Sequence, residues 1–262
     1  LKERFYMKKK LSLLALLCAA LLIALPAFAA TELYVFAAAS MTESMNQIAE
    51  MYEKVDPNVK IVYNFDSSGT LKTQIEQGAE CDVFISAGQK QMNAINDKFV
   101  MPDTRFDIVS NRVVLIVPKG QNPTNIRSFG DVASDKVKLI ALGNSDVPVG
   151  QYSEEIFKNM GIWEKLKKEN KITYASNVKE VLAQTAAAAV NCGVVYSTDA
   201  ATSDAVEVIS FAPKGTHKPI IYPAAIMKDT KHKAEAEAFV KYLKSDPCSA
   251  VFTKIGFSIP EK

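Results

Sequence analysis

The chain has 262 residues, of which 48% are apolar, 23% charged and 9% aromatic. That is enough to bury one or two ordinary cores, and too apolar for a disordered polymer. Eleven Gly and 11 Pro exclude collagen-like and linker-dominated chains. The formal charge is +2, but residues 1–29 contribute +4 through Lys2, Arg4, Lys8, Lys9 and Lys10 against Glu3, which leaves −2 on residues 30–262. A mildly acidic body argues against nucleic acid as a partner.

The N-terminal segment reads as an export signal. Met7-Lys8-Lys9-Lys10 is a basic start, with residues 1–6 read as an upstream extension. The apolar run Leu11–Leu25 follows, then Pro26-Ala27-Phe28-Ala29-Ala30, with small residues before a cut after Ala29. A run of 15 residues is short of the ~20 that a membrane-spanning helix needs. Cys18 follows Leu17 and precedes more apolar residues, a poor context for lipid attachment, so a freely soluble exported protein is expected.

Beyond residue 30 the apolar pattern alternates between strand and helix periods. Leu33–Ala37 reads as a buried strand, and Met41, Met45, Ile48 and Tyr52 then mark one face of a helix. Lys60–Phe65 is a strand, Leu71 and Ile75 a short helix that Gly78 can end, Asp82–Ser86 a strand and Gln89–Asp97 a helix. Val113–Val117 is a strand stopped by Pro118, and Lys138–Leu142 another. Gln151–Met160 is a helix closed by Gly161, followed by strand Lys171–Tyr174, helix Val178–Val190 and strand Gly193–Tyr196. Val206–Ile209 and Ile220–Met227 are strands, and Lys231–Leu243 is a long helix. This alternation predicts an α/β architecture with mostly parallel sheets. Cys81, Cys192 and Cys248 form no metal-ligand cluster; export permits one disulfide, and three buried thiols fit equally well.

Four segments place small or hydroxyl residues where a strand hands over to a helix. Ser40 precedes Met41-Thr42-Glu43, a Ser-x-x-Glu capping box whose serine proton points outward. Asp66-Ser67-Ser68-Gly69-Thr70 collects hydroxyls at a helix start, where free N–H groups and the helix dipole suit an anion. In Val147-Pro148-Val149-Gly150, Gly150 leaves backbone uncovered, so the Val149 amide can face a ligand. Ser176-Asn177-Val178 opens a fourth helix. Each alone is explained by a simple cap. Ligands of α/β sheets sit at the carboxyl ends of strands, so together the four can converge across a cleft between two lobes. Such a site binds a tetrahedral oxyanion by neutral donors, with Tyr196 adding a phenolic one. Catalytic patterns are missing: neither His217 nor His232 neighbours a nucleophile in sequence, and there is no Gly-x-Ser-x-Gly elbow, Walker loop or dinucleotide fingerprint. A secreted hydrolase would need one of these histidines beside Ser40 or Ser68.

Several segments resemble, in order, those of the periplasmic molybdate-binding proteins, the solute receptors of molybdate ABC importers. They are Val35-Phe36-Ala37-Ala38-Ala39-Ser40-Met41-Thr42, Ser67-Ser68-Gly69-Thr70-Leu71, Asp82-Val83-Phe84-Ile85-Ser86-Ala87, Val147-Pro148-Val149-Gly150-Gln151-Tyr152, Gly193-Val194-Val195-Tyr196-Ser197-Thr198-Asp199-Ala200 and Gly256-Phe257. The resemblance implies an α/β, two-lobed type II periplasmic binding protein fold with two crossover strands and a ligand cleft between the lobes. It divides the chain into a signal peptide (1–29), a first segment of lobe one (30–110), lobe two (111–210) and a second segment of lobe one (211–262), with crossovers near Ser110-Asn111 and Ser210. It implies an oxyanion held by the hydroxyls of Ser40, Ser68 and Tyr196 and the backbone amides of Val149 and Val178. Gly69 departs from relatives with a third serine. The expectation is a monomeric periplasmic receptor, not an enzyme. It would carry no cofactor, meet molybdenum only as molybdate, bind tungstate too, and deliver its ligand to an ABC permease. A receptor specific for tungstate or another tetrahedral oxyanion is the alternative.

Overall fold

The computed structural model describes residues 30–260; the signal-peptide reading lies outside the described residues. Ten strands form two sheets of five. The first sheet takes its strands from both ends of the described chain. They are β1 (Thr31–Ala38), β2 (Val59–Asp66), β3 (Val83–Ile85), β4 (Phe106–Asn111) and β10 (Ile220–Ile226), in the order β2-β1-β3-β10-β4. The second sheet holds β5 (Val113–Pro118), β6 (Ile140–Gly143), β7 (Ile172–Ala175), β8 (Cys192–Tyr196) and β9 (Val206–Phe211), in the order β7-β6-β8-β5-β9.

The two sheets share one plan. β1 runs parallel to β2 and β3, and β6 runs parallel to β7 and β8. One strand in each runs against its neighbours: β10 in the first, β5 in the second. The chain passes from the first sheet to the second between Asn111 and Val113, and returns between Phe211 and Ile220. Helices cover both faces, which explains why β5 is buried at all six positions and β1 at its last four.

The helices are α1 (Thr42–Glu53), α2 (Ser68–Glu76), α3 (Gln89–Phe99), α4 (Pro148–Asn159), α5 (Trp163–Lys168), α6 (Val178–Ala186), α7 (Ser197–Ala200), α8 (Lys233–Leu243) and α9 (Asp246–Ile255). The face expected of α1 is buried as the period requires: Met45, Ile48 and Tyr52 pack inward. Tyr52 meets Phe239 edge-on at 5.1 Å, tying α1 to α8. Four of these elements go beyond the sequence reading: β4, α5, α7 and α9. The helix expected over Val178–Val190 stops at Ala186, because Ala188 turns left-handed at φ 53°, the backbone state that usually ends a helix at glycine. Cys81, Cys192 and Cys248 are free and buried, the three-thiol alternative. Burial pushes the thiols of Cys81 and Cys192 well up.

Register then fixes where the site lies. Ala38 at the end of β1 pairs with Asp66 at the end of β2, so the loops carrying Ser40 and Ser68 leave the sheet side by side. In the second sheet Gly143 pairs with Ala175, so the segments leading to Val149 and Val178 also emerge together.

Candidate oxyanion site

Ser40, Ser68, Val149, Val178 and Tyr196 line one small cavity between the two lobes. Ala87, Asp66 and Ser67 share the lining, which contains no lysine, arginine or histidine. Asp66 is its one charged residue, and Oδ1 of that side chain accepts the Ser67 N–H at 2.6 Å.

The two serines of the second loop divide the work. Ser67 is the N-cap of α2: its Oγ accepts the Thr70 N–H at 3.1 Å. Ser68 is fully buried, and its Oγ accepts the Ala87 N–H at 2.9 Å. That bond leaves the Ser68 proton unused. The capping box expected of Ser40 and Glu43 does not form. A single 3-10 turn, Ala39–Met41, precedes α1, which starts from Met41 without a side-chain cap. That turn swings Ser40 inward, and its Oγ lies 3.0 Å from the Tyr222 hydroxyl. Glu43 instead reaches across to Lys179 at 2.7 and 2.9 Å.

The second lobe contributes two amides. Val178 is the first residue of α6, whose cap Asn177 accepts the Glu180 N–H at 3.0 Å. Val149 is the second residue of α4, after Pro148, with no side-chain cap. Amides at these positions have no intrahelical acceptor, and they sit at the positive end of the helix dipole. Gly150 also has a packing role. A Cβ there would lie 2.2 Å from the Gly143 carbonyl oxygen, so glycine lets α4 begin tight against the end of β6. Tyr196, 1% exposed, donates its hydroxyl across the cleft to the Ala87 carbonyl at 3.4 Å. Burial pushes its phenol well above the usual range, followed by the neighbouring Tyr222, so it stays a neutral donor.

The lobes touch closely around this cavity. The Cα of Gly69 faces Asp146, and a Cβ on Gly69 would come within 2.2 Å of the Asp146 carbonyl oxygen. Gln91 donates to Gln151 at 3.1 Å. Lys179 holds Glu43 and also lies 3.5 Å from Asp199, which is fully buried. Burial raises the Asp199 pKa to about 7 against the lowering pull of Lys179.

Neither histidine approaches this arrangement. His217 stacks edge-on against Tyr152 at 6.0 Å, and its Nδ1 lies 2.6 Å from the Lys218 carbonyl. His232 precedes α8. Ser40 and Ser68 therefore have no histidine beside them in the lining. Sequence reasoning missed Ala87, Tyr222 and Asp199 as parts of the site. One available signal was Pro223 inside the expected strand, since proline within a sheet marks a bulge; the register shifts between Tyr222 and Pro223.

A family model described as bacterial extracellular solute-binding protein matches residues 33–258. The chain is 40% identical over 229 residues, 86% of each chain, to a putative ABC transporter substrate-binding lipoprotein of Bacillus subtilis. It is 36% identical over 234 residues, 88% of this chain and 91% of the relative, to a molybdate-binding protein of Haemophilus influenzae. Among solved structures it is similar to the periplasmic molybdate-binding protein of Azotobacter vinelandii, with a TM-score of 0.78, 26% identity, and coverage of 87% of this chain and 100% of that one.

Proposed function

From the premise that the chain belongs to the bacterial extracellular solute-binding protein family, we propose that it captures molybdate outside the cytoplasmic membrane and delivers it to the permease of an ABC importer. The observation that carries this reading is that Ser40, Ser68, Val149, Val178 and Tyr196, from both lobes, line one cavity without a cationic side chain. Neutral donors replace the hydration shell of a dianion without attracting every anion nearby, as a buried Arg or Lys would. The similar proteins of H. influenzae and A. vinelandii are molybdate-binding, which favours that oxyanion.

Size does the selecting. Molybdate and tungstate are nearly the same size, so the site takes both. Smaller sulfate leaves hydrogen bonds stretched, at a cost of ~1–3 kcal/mol for each buried group left unpaired. The lobes close over the anion, and the closed form is what the permease reads. The working place is the periplasm, reached through the signal read in residues 1–29, and the working form is a monomer.

A thermal-shift titration of residues 30–262 with molybdate, tungstate, sulfate and phosphate tests the reading. A ligand at 100 times its dissociation constant stabilises by ~2.7 kcal/mol, a plainly visible shift. Shifts with molybdate and tungstate alone are expected. Equal shifts with sulfate would remove the size filter, and no shift with any anion would remove the oxyanion site. Two variants test the donors. Ser40→Ala and Tyr196→Phe should each weaken molybdate binding about tenfold, since a hydrogen bond to a charged group contributes ~1.5–3 kcal/mol. Calorimetric titration checks this, with the ligand-free melting temperature as control.

A further inference from the structure

Lys179 follows Val178 at the start of α6, yet it does not line the cavity, and the oxyanion reading gives it no task. Its ammonium is held by carboxylates of both lobes. Nζ donates to the two oxygens of Glu43 at 2.7 and 2.9 Å and lies 3.5 Å from Oδ1 of Asp199. Glu43 stands on α1, in the first lobe, whereas Lys179 and Asp199 stand on α6 and α7, in the second. The contact with Asp199 stays within one lobe. The bond to Glu43 crosses the cleft, so parting the lobes breaks it. Glu43 comes three residues after Ser40, and Lys179 directly after Val178. The crossing bond therefore forms when the two lobes bring Ser40 and Val178 to the same cavity.

Asp199 is the unusual member. It is fully buried, while the Glu43 side chain stays 41% exposed. A buried carboxylate is costly to keep charged unless it is well paired. Among the described residues Lys179 is the one cation paired with Asp199, and Glu43 holds that cation more closely. Burial keeps the phenols of Tyr196 and Tyr222 protonated beside it. Arg112, just before β5, lays its guanidinium over the Phe211 ring at 4.1 Å. Burial raises the Asp199 carboxyl, Lys179 draws it down, and Glu43 pushes it up again. Opening the lobes takes Glu43 and its push away. Closing therefore favours the protonated acid, and a proton on Asp199 leaves the whole ammonium to Glu43.

We propose that Glu43, Lys179 and Asp199 form a latch between the lobes: the Glu43–Lys179 bond holds the closed form, and a proton on Asp199 tightens it. The proposal rests on the oxyanion reading above and on the closing of the lobes. The latch lies outside the cavity lining, so it acts on how firmly the lobes hold any anion and adds nothing to the choice among anions. Capture then takes up a proton near neutral pH, and rising pH loosens the grip.

The test is calorimetric titration with molybdate between pH 6 and pH 8, a range in which molybdate itself stays a dianion. Glu43→Gln should weaken binding about two- to fivefold at pH 6. It should leave the ligand-free protein as stable to urea as wild type, because the bond belongs to the closed form. Unchanged affinity, or a loss of ligand-free stability in place of affinity, would overturn the latch. In wild type the affinity should fall about threefold from pH 6 to pH 8. Asp199→Asn carries no charge at this position and should hold its pH 6 affinity at pH 8. A level wild-type profile, or the same fall in Asp199→Asn, would overturn the proton link. If the asparagine variant does not fold, Glu43→Gln serves at its exposed position. Its pH profile should be flatter than that of wild type, and an equal slope would overturn the link. Failure of the wild-type protein to bind molybdate at any of these pH values would instead sink the function itself.

Discussion

Replacing Gly69 by valine should leave the protein folded and lower its molybdate affinity about 10- to 100-fold. The added Cβ would sit 2.2 Å from the Asp146 carbonyl oxygen and 2.7 Å from the Asp146 Cβ, distances at which backbone must move. Gly69 lies at the start of α2 in the first lobe, and Asp146 follows β6 in the second, so the clash is between lobes. The strain falls on the closed form alone. Overpacking costs ~1–3 kcal/mol, which converts to the stated range. Gly69→Ala gives a sharper version. Gly69 has an ordinary helical backbone, so alanine there should raise the stability of the ligand-free protein by up to ~1 kcal/mol while still weakening binding. Urea unfolding without ligand and calorimetry with molybdate measure the two separately. A variant that loses stability and affinity together would place Gly69 in the packing of its own lobe. A variant with wild-type affinity would mean that closure does not bring Gly69 against Asp146.

The α/β class was legible because strands buried on both faces leave continuous apolar runs such as Val113–Val117, and the helices between strands keep their period. Where one strand of each sheet turns against its neighbours was not legible. The reversal of β5 and β10 is a matter of which strands meet, and no local pattern encodes it. β4 escaped because it is an edge strand with two buried apolar residues, Ile108 and Val109, among polar ones. α9 begins at Asp246-Pro247, a pair that reads as a turn before it reads as a helix start.

The five positions named from the sequence share one cavity, and the reason is register. Small and hydroxyl residues after parallel strands announce helix starts, and the sheet then sets those starts side by side. What the sequence could not convey is which hydroxyl points where. Ser40 looked like a helix cap, and the 3-10 turn at Ala39–Met41 makes it a partner of Tyr222, 182 residues away. Ser67 and Ser68 look interchangeable until one is seen capping α2 and the other accepting from Ala87. Side-chain bonds between residues so distant in sequence depend on the packed fold.

Asp199 should make the protein less stable as pH rises from about 4 to about 7, and Asp199→Asn should remove that component. The sign follows from the raised pKa. In the unfolded chain the carboxyl has its ordinary value of 3.8, whereas in the folded protein burial lifts it to about 7. Between these values folding takes up a proton. The contribution is fully present below 3.8 and is lost as pH climbs through the folded pKa, with a slope of up to ~1.4 kcal/mol per pH unit for one proton. The groups facing Asp199 set how far the effect goes. Lys179 opposes the shift from 3.5 Å, Glu43 adds to it while holding the same ammonium, and Tyr196 and Tyr222 stay neutral beside it. Other carboxylates titrate over the same range, so the quantity to measure is the difference between wild type and Asp199→Asn by urea unfolding at pH 4.5, 6 and 8. Asparagine should gain relative to wild type at each step, by a few kcal/mol at most over the whole range. A difference that stays flat would mean that Lys179 holds Asp199 ionised throughout. In that event the Glu43–Lys179–Asp199 cluster is a fixed ion network between the lobes, and the closed form should tolerate alkaline pH as well as neutral.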